Sequence, residues 1–145
     1  MIEYRRQAHA VYYTVYHLIF VTKYRRKVLK EGMGRYIQVI FRSIEKQYPE
    51  IEILEMNTDE EDHIHLMVMI PPKLSVAQVV NILKSNSSRW MRKRFPFVKT
   101  MYEHENLGFW SDGYFASTAG LSENALKQYI QQQGLEDKGQ TKFVW

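Results

Sequence analysis

Four residues in this chain have the types and spacing for metal-assisted chemistry: His63, His65, Tyr129 and Gln133. The histidines open the run Asp62-His63-Ile64-His65-Leu66-Met67-Val68-Met69-Ile70, whose alternation reads as a strand. Residues two apart in a strand share a face, about 6.5–7 Å from one another. His63 and His65 therefore point one way with Met67 and Met69. Ile64, Leu66, Val68 and Ile70 point the other way, into a core. Two neutral imidazoles on a rigid platform suit a divalent cation. Two histidines on a polar sheet face can also make ordinary hydrogen bonds. A pair of ligands is a weak site, and a third must come from elsewhere.

The second pair lies on Ala125-Leu126-Lys127-Gln128-Tyr129-Ile130-Gln131-Gln132-Gln133, which reads as a helix. Tyr129 and Gln133 stand one turn apart on one face, with Leu126 and Ile130 on a neighbouring, packing face. If that helix crosses the histidine face, Gln133 completes a ligand set and Tyr129 meets whatever the cation polarises. The structural alternative is a tyrosine that packs along its ring and hydrogen-bonds at its tip. Asp62 is either an orienting partner for one of the histidines or a solvated turn carboxylate.

The elements that must position these side chains follow from the patterning. Val11 to Val21 reads as one long central strand. Met33, Ile37, Ile40, Phe41, Ile44 and Tyr48 recur at helical spacing, and Pro49 ends that helix. Ile51 to Met56 is a second strand, the His63 strand follows, and Pro71-Pro72 closes it. Ser75 caps a second helix with Gln78 as its capping-box partner. Its apolar face carries Val76, Val79, Val80, Leu83, Ser87, Trp90 and Met91, and its opposite face Lys84, Ser85, Ser88, Arg89, Arg92 and Lys93. Phe109 to Ser117 reads as a last strand broken by Gly113, and a third helix runs from near Ser122 to a C-cap at Gly134. This order predicts an α+β, ferredoxin-like split β-α-β fold. It has an antiparallel sheet with helices on one face and an additional C-terminal helix bearing the tyrosine.

With 145 residues, a single domain spanning 1–145 is expected. Apolar residues make up 45%, enough for one core, and there is no cysteine. Disulfides, thiolate metal sites and cysteine nucleophiles are thereby excluded. No apolar run approaches membrane-spanning length, so a cytoplasmic protein without membrane contact is expected. The net charge of +4 is unevenly spread: Lys23–Lys30 and Lys84–Arg94 each hold five basic residues and no acid. Both clusters fit either a polyanion footprint or solvated faces with their stems packed on the core. No glycine-rich phosphate loop is present, so no nucleotide cofactor is expected.

DHIHLMVMIPP resembles the His-hydrophobe-His strand of the single-tyrosine transposases of the insertion-sequence 200/605 group. The resemblance runs through HLIFVTKYRRKVL, SVAQVVNILKSNSSRWMRKRFP and FWSDGYFASTAGLSENALKQYIQQQ, and so through most of the chain. The acidic NTDEED before His63 is longer than that family's short turn. The resemblance implies that His63, His65 and Gln133 hold Mg2+ or Mn2+ and that Tyr129 is the nucleophile. It implies cleavage and rejoining of single-stranded DNA with imperfect hairpins at transposon ends, through a 5′-phosphotyrosine. It also implies a homodimer in which a tyrosine helix can complete the other subunit's site, acting at the nucleoid. On that reading Arg25, Arg26, Lys27, Lys84, Arg89, Arg92 and Lys93 are the candidate DNA contacts, with Tyr24, Trp110 and Tyr114 as stacking candidates. Gly120 becomes either a hinge for the tyrosine helix or a plain turn glycine.

Two other classes are open. One is a metal-dependent phosphoesterase in which water attacks, although Met67 stands where a third alternating histidine would be. The other is a non-catalytic single-stranded nucleic-acid-binding module. His9, His17 and His104 have no spacing partner and read as structural.

Overall fold

A computed structural model describes residues 4–30, 32–58, 60–101, 108–118 and 123–138. It contains β1 (Arg5–Gln7), β2 (Ala10–Tyr12), β3 (Val15–Val21), α1 (Gly32–Gln47), β4 (Glu52–Asn57) and β5 (His63–Met69). Then follow α2 (Val76–Arg94), α3 (Pro96–Met101), β6 (Phe115–Ser117) and α4 (Glu123–Asp137). β1 and β2 form a small antiparallel hairpin. The main sheet is antiparallel throughout, in the order β4-β5-β3-β6. β3 and β4 are joined through α1 but lie on either side of β5, so the histidine strand is central.

The β3–β5 register divides the sheet into two faces. Directly opposed residues in an antiparallel pair point the same way. Leu18, opposite Leu66, and Phe20, opposite Ile64, face the main core with Val68 and Ile70. Ile37, Phe41 and Ile44 of α1 and Val79, Val80 and Leu83 of α2 cover that face. On the other face Val21 opposes His63, Ile19 opposes His65, and His17 opposes Met67. There α4 lays Tyr129 and Ile130 on Ile19 and Val21, with Phe115 and Leu126 at the edge. The period-2 pattern of β5 thus separates core from candidate site.

Local signals hold where they are strongest. Ser75 caps α2 with the expected box: its hydroxyl accepts from the Gln78 N–H, and the Gln78 amide oxygen accepts from the Ser75 N–H. Other expectations need correcting. The Val11–Val21 strand is broken at Tyr13–Thr14, where Thr14 turns to bond the Ile70 backbone in both directions. The Phe109–Ser117 strand is reduced to β6, with Trp110 making only an isolated bridge to Thr22. The third helix runs through Gly134 to Asp137. Gly134 is not a cap: a Cβ there would sit 2.5 Å from Arg25 Cδ, so the glycine lets that side chain cross the helix. α3 is an element the patterning did not announce.

The two faces of β5 should respond differently to truncation. Leu66→Ala, at a fully buried position, is expected to cost about 2–5 kcal/mol in urea denaturation. Met67→Ala, on the half-exposed face, should cost less than about 1.5 kcal/mol. Equal losses would contradict the division.

Candidate active site

His63 is nearly buried, and its Nδ1 lies 2.8 Å from Asp62 Oδ1. Arg25 Nε donates to the other Asp62 oxygen at 3.2 Å. The Asp62 carbonyl accepts from the Thr22 N–H at 2.9 Å and the Thr22 hydroxyl at 3.0 Å, which pins the backbone just before the histidine. Burial alone would raise the Asp62 pKa, but the hydrogen bonds and charges of His63 and Arg25 outweigh it and hold the carboxylate below its ordinary value. Asp62 is therefore an orienting partner of His63 and not a solvated turn residue.

Arg25 reaches Asp62 through a strained turn. Tyr24 and Arg25 sit at φ 60° and 53°, a left-handed geometry costing roughly 1 kcal/mol or more per non-glycine residue. Asp137, at the end of α4, offsets that cost. Its carboxylate accepts from the Tyr24 N–H at 2.8 Å and the Ser111 hydroxyl at 2.7 Å, and it faces Lys23 Nζ at 3.4 Å. The basic turn and the tyrosine helix are thus fastened to each other.

His65 has a partner that sequence spacing does not reveal. His17 Nδ1 lies 3.1 Å from His65 Nε2, and the rings are 5.3 Å apart. His17 sits on β3 opposite Met67, two pairs along the ladder from His65 and on the same face. Burial first, and then the His17 charge, push the His65 pKa below its ordinary value, which favours the neutral imidazole that a cation needs.

Tyr129 and Gln133 are both buried, at 3% and 5% exposure. The Tyr129 ring meets Phe115 edge-on at 5.5 Å. Burial, then the Glu136 and Asp137 charges, raise the phenol pKa, so it stays protonated near neutrality. The Gln133 amide nitrogen donates to the Asp112 carbonyl at 2.8 Å, which leaves its oxygen as the end able to accept or ligate. The two residues share a hollow with Lys23, Asp112, Gly113 and Asp137. His63 lines a different hollow, with Arg25, Asp62, Leu126 and Ile130, and His65 a third, with Glu55, Asn57 and Met67. The fold lays both halves of the expected site on one sheet face, and these three hollows, among the described residues, open beside different members of it. Among the described residues, no group of three His, Cys, Asp or Glu side chains is assembled to hold a metal ion.

The candidate DNA contacts divide. Lys84 is not among them: it is 3% exposed and its ammonium donates to the carbonyls of Ser111, at 2.7 Å, and Gly113. Burial lowers its pKa to about 8 against the pull of Asp112 and Asp137. Ser88 is also buried, and Trp90, expected on the apolar face, is 42% exposed. The reason is a third neighbour of α2, the Phe109–Gly113 segment, where the Trp110 indole N–H donates to Ser87 Oγ at 2.9 Å. Trp110 is core, not a stacking surface. Arg89 and Lys93 are exposed, with Lys93 over the Trp90 ring at 5.2 Å. Arg92 packs against Gly108. Arg26 lies over the Tyr24 ring at 4.9 Å, and Lys27 is exposed. Gly120, Ser122 and His104 lie outside the described residues.

The sequence pattern of the family described as transposase, IS200 like, matches residues 10–133. The chain belongs to that family. It is 34% identical over 131 residues to the transposase of insertion sequence element IS200 from Salmonella typhimurium, covering 90% of this chain and 84% of that one. It is 32% identical over 124 residues to the ISDra2 transposase TnpA of Deinococcus radiodurans, covering 85% and 86%. A crystal structure of a candidate transposase from Deinococcus radiodurans superposes with a TM-score of 0.75 at 30% identity, over 89% of this chain and 97% of that one. This IS200-like protein is therefore a DNA transposase by family, with the α+β architecture of its relative.

The buried Lys84 has a measurable signature in this transposase. Its folded pKa lies near 8 against an ordinary 10.5, so between those values the unfolded chain binds more protons and stability rises with pH. Lys84→Met should remove that rise, as followed by denaturant midpoints from pH 7.5 to 10. An unchanged slope would mean the ammonium is solvated.

Proposed function

We propose that this transposase cleaves and rejoins single-stranded DNA by transesterification through Tyr129, with His63, His65 and Gln133 holding Mg2+ or Mn2+. One observation carries the reading: the helix bearing Tyr129 and Gln133 packs on the same sheet face that presents His63 and His65. The donor set fits a divalent ion. His63 is held at Nδ1 and keeps Nε2 for a ligand, and the Gln133 amide is held at nitrogen and keeps its oxygen. Once bound, the cation would polarise a phosphate oxygen and neutralise charge building on phosphorus.

The chain's own groups do the rest. Asp62 and Arg25 hold His63 in place. Tyr129 is protonated at rest, so its phenolic proton must leave as the oxygen attacks. The new P–O bond forms to Tyr129 and the bond to the 3′ oxygen breaks. That oxygen takes up a proton, so the exchange of one phosphodiester for another is proton-neutral overall. Ester energy is retained, and a 3′-OH can reverse the step without ATP. The active protein is a homodimer in which the tyrosine helix of one subunit can serve the histidines of the other.

The substrate is single-stranded DNA with imperfect hairpins at transposon ends. Arg89 and Lys93, flanking the exposed Trp90, and Lys27 beside the strained turn are the solvent-facing cations suited to phosphates.

Tyr129→Phe is expected to abolish a covalent protein–DNA adduct, read on a denaturing gel with Mn2+ and labelled single-stranded DNA, while leaving binding within about threefold. Cleavage at the wild-type rate by this variant would overturn the nucleophile assignment. Cleavage without adduct in both proteins would favour attack by water. Arg89→Ala and Lys93→Ala should each reduce the slope of log K against log salt by about 0.7 for a single strand. Unchanged slopes would remove α2 from the DNA path.

A further inference from the structure

His17 has no part in the proposed chemistry, yet its ring nitrogen lies within hydrogen-bond distance of a candidate ligand nitrogen of His65. β3 and β5 are the two interior strands of the main sheet, so the ladder on both sides fixes the backbones carrying these rings. The His17 Nδ1 to His65 Nε2 distance is 3.1 Å, and the rings are inclined at 35°. A neutral imidazole has one N–H and one lone pair, so one ring donates and the other accepts.

The two arrangements have opposite consequences. If His17 Nδ1–H donates, His65 accepts at Nε2 and carries its own proton at Nδ1, which leaves no lone pair for a cation. If His65 Nε2–H donates, His17 accepts and the His65 Nδ1 lone pair is open. His63 shows the matching pattern: one nitrogen is engaged by Asp62 and the other is left over.

We propose that His17 is a positioning residue that accepts from His65 Nε2–H and so fixes the tautomer in which His65 Nδ1 is the free ligand atom. Each histidine of the pair then has its own orienting partner, a carboxylate for His63 and an imidazole for His65. This rests on the reading that His65 holds the cation, and the test separates the two.

The test uses histidine-15N-labelled full-length protein without metal, with long-range proton–nitrogen correlations reporting the tautomer of each ring. Wild type should show His65 protonated at Nε2. His17→Phe should give a mixture of tautomers and weaken Mn2+ binding, read by electron paramagnetic resonance, by about 10–100-fold. His17→Gln, whose amide oxygen can accept, should keep the tautomer and most of the affinity. His9→Phe, at an exposed turn position, should change neither. His65 protonated at Nδ1 in wild type overturns the proposal, and this spectrum decides even if His17→Phe fails to fold. An unchanged tautomer and affinity in His17→Phe, with Mn2+ binding lost in His63→Ala, also overturns it and leaves the cation site standing. If wild type binds no Mn2+ while His17 still sets the tautomer, the cation reading falls and the positioning role remains.

Discussion

The antiparallel pairing of β3 with β5 is the constraint on which the other features rest. Leu18 opposite Leu66 and Phe20 opposite Ile64 commit one face to the core. A slip of one residue would turn the aliphatic row to solvent and bury two imidazoles in its place. Register is therefore specified by burial, and the histidines inherit their geometry from it. The same register brings His17 beside His65 and sets Ile19 and Val21 as the apolar seat for α4.

A second arrangement hangs from that seat. Asp137 gathers the Tyr24 N–H, the Ser111 hydroxyl and the Lys23 ammonium around one buried carboxylate. Removing one partner of such a buried charge destabilises strongly, because the carboxylate is left uncompensated away from water. The end of α4 is thus tied to the turn that presents Arg25 to Asp62. Both halves of the candidate site share this fastening, although they open into separate hollows.

Much of this is legible from sequence, for identifiable reasons. The two-residue period of β5 and the capping box of α2 are local signals, and the fold bears out both. Tyr129 and Gln133 need only helical spacing to be read as one face. The misses share a cause, which is tertiary neighbours. α2 reads as two-sided, but the Phe109–Gly113 segment covers a third side, burying Lys84 and leaving Trp90 exposed. Gly134 reads as a stop, yet it is the small residue that lets Arg25 cross. His17 has no spacing partner because its partner is on another strand, and register cannot be read from one strand alone.

Under the proposed mechanism, the histidine half and the tyrosine half of the site can be assembled from two chains. The direct measurement mixes His63→Ala protein with Tyr129→Phe protein, differing in size by a tag, and assays adduct formation on labelled single-stranded DNA with Mn2+. Neither variant alone should give an adduct. The mixture should give one, on the His63→Ala chain, which keeps its tyrosine. A mixture as inactive as its components, with mixed dimers verified to form, would contradict the account and require each chain to complete its own site.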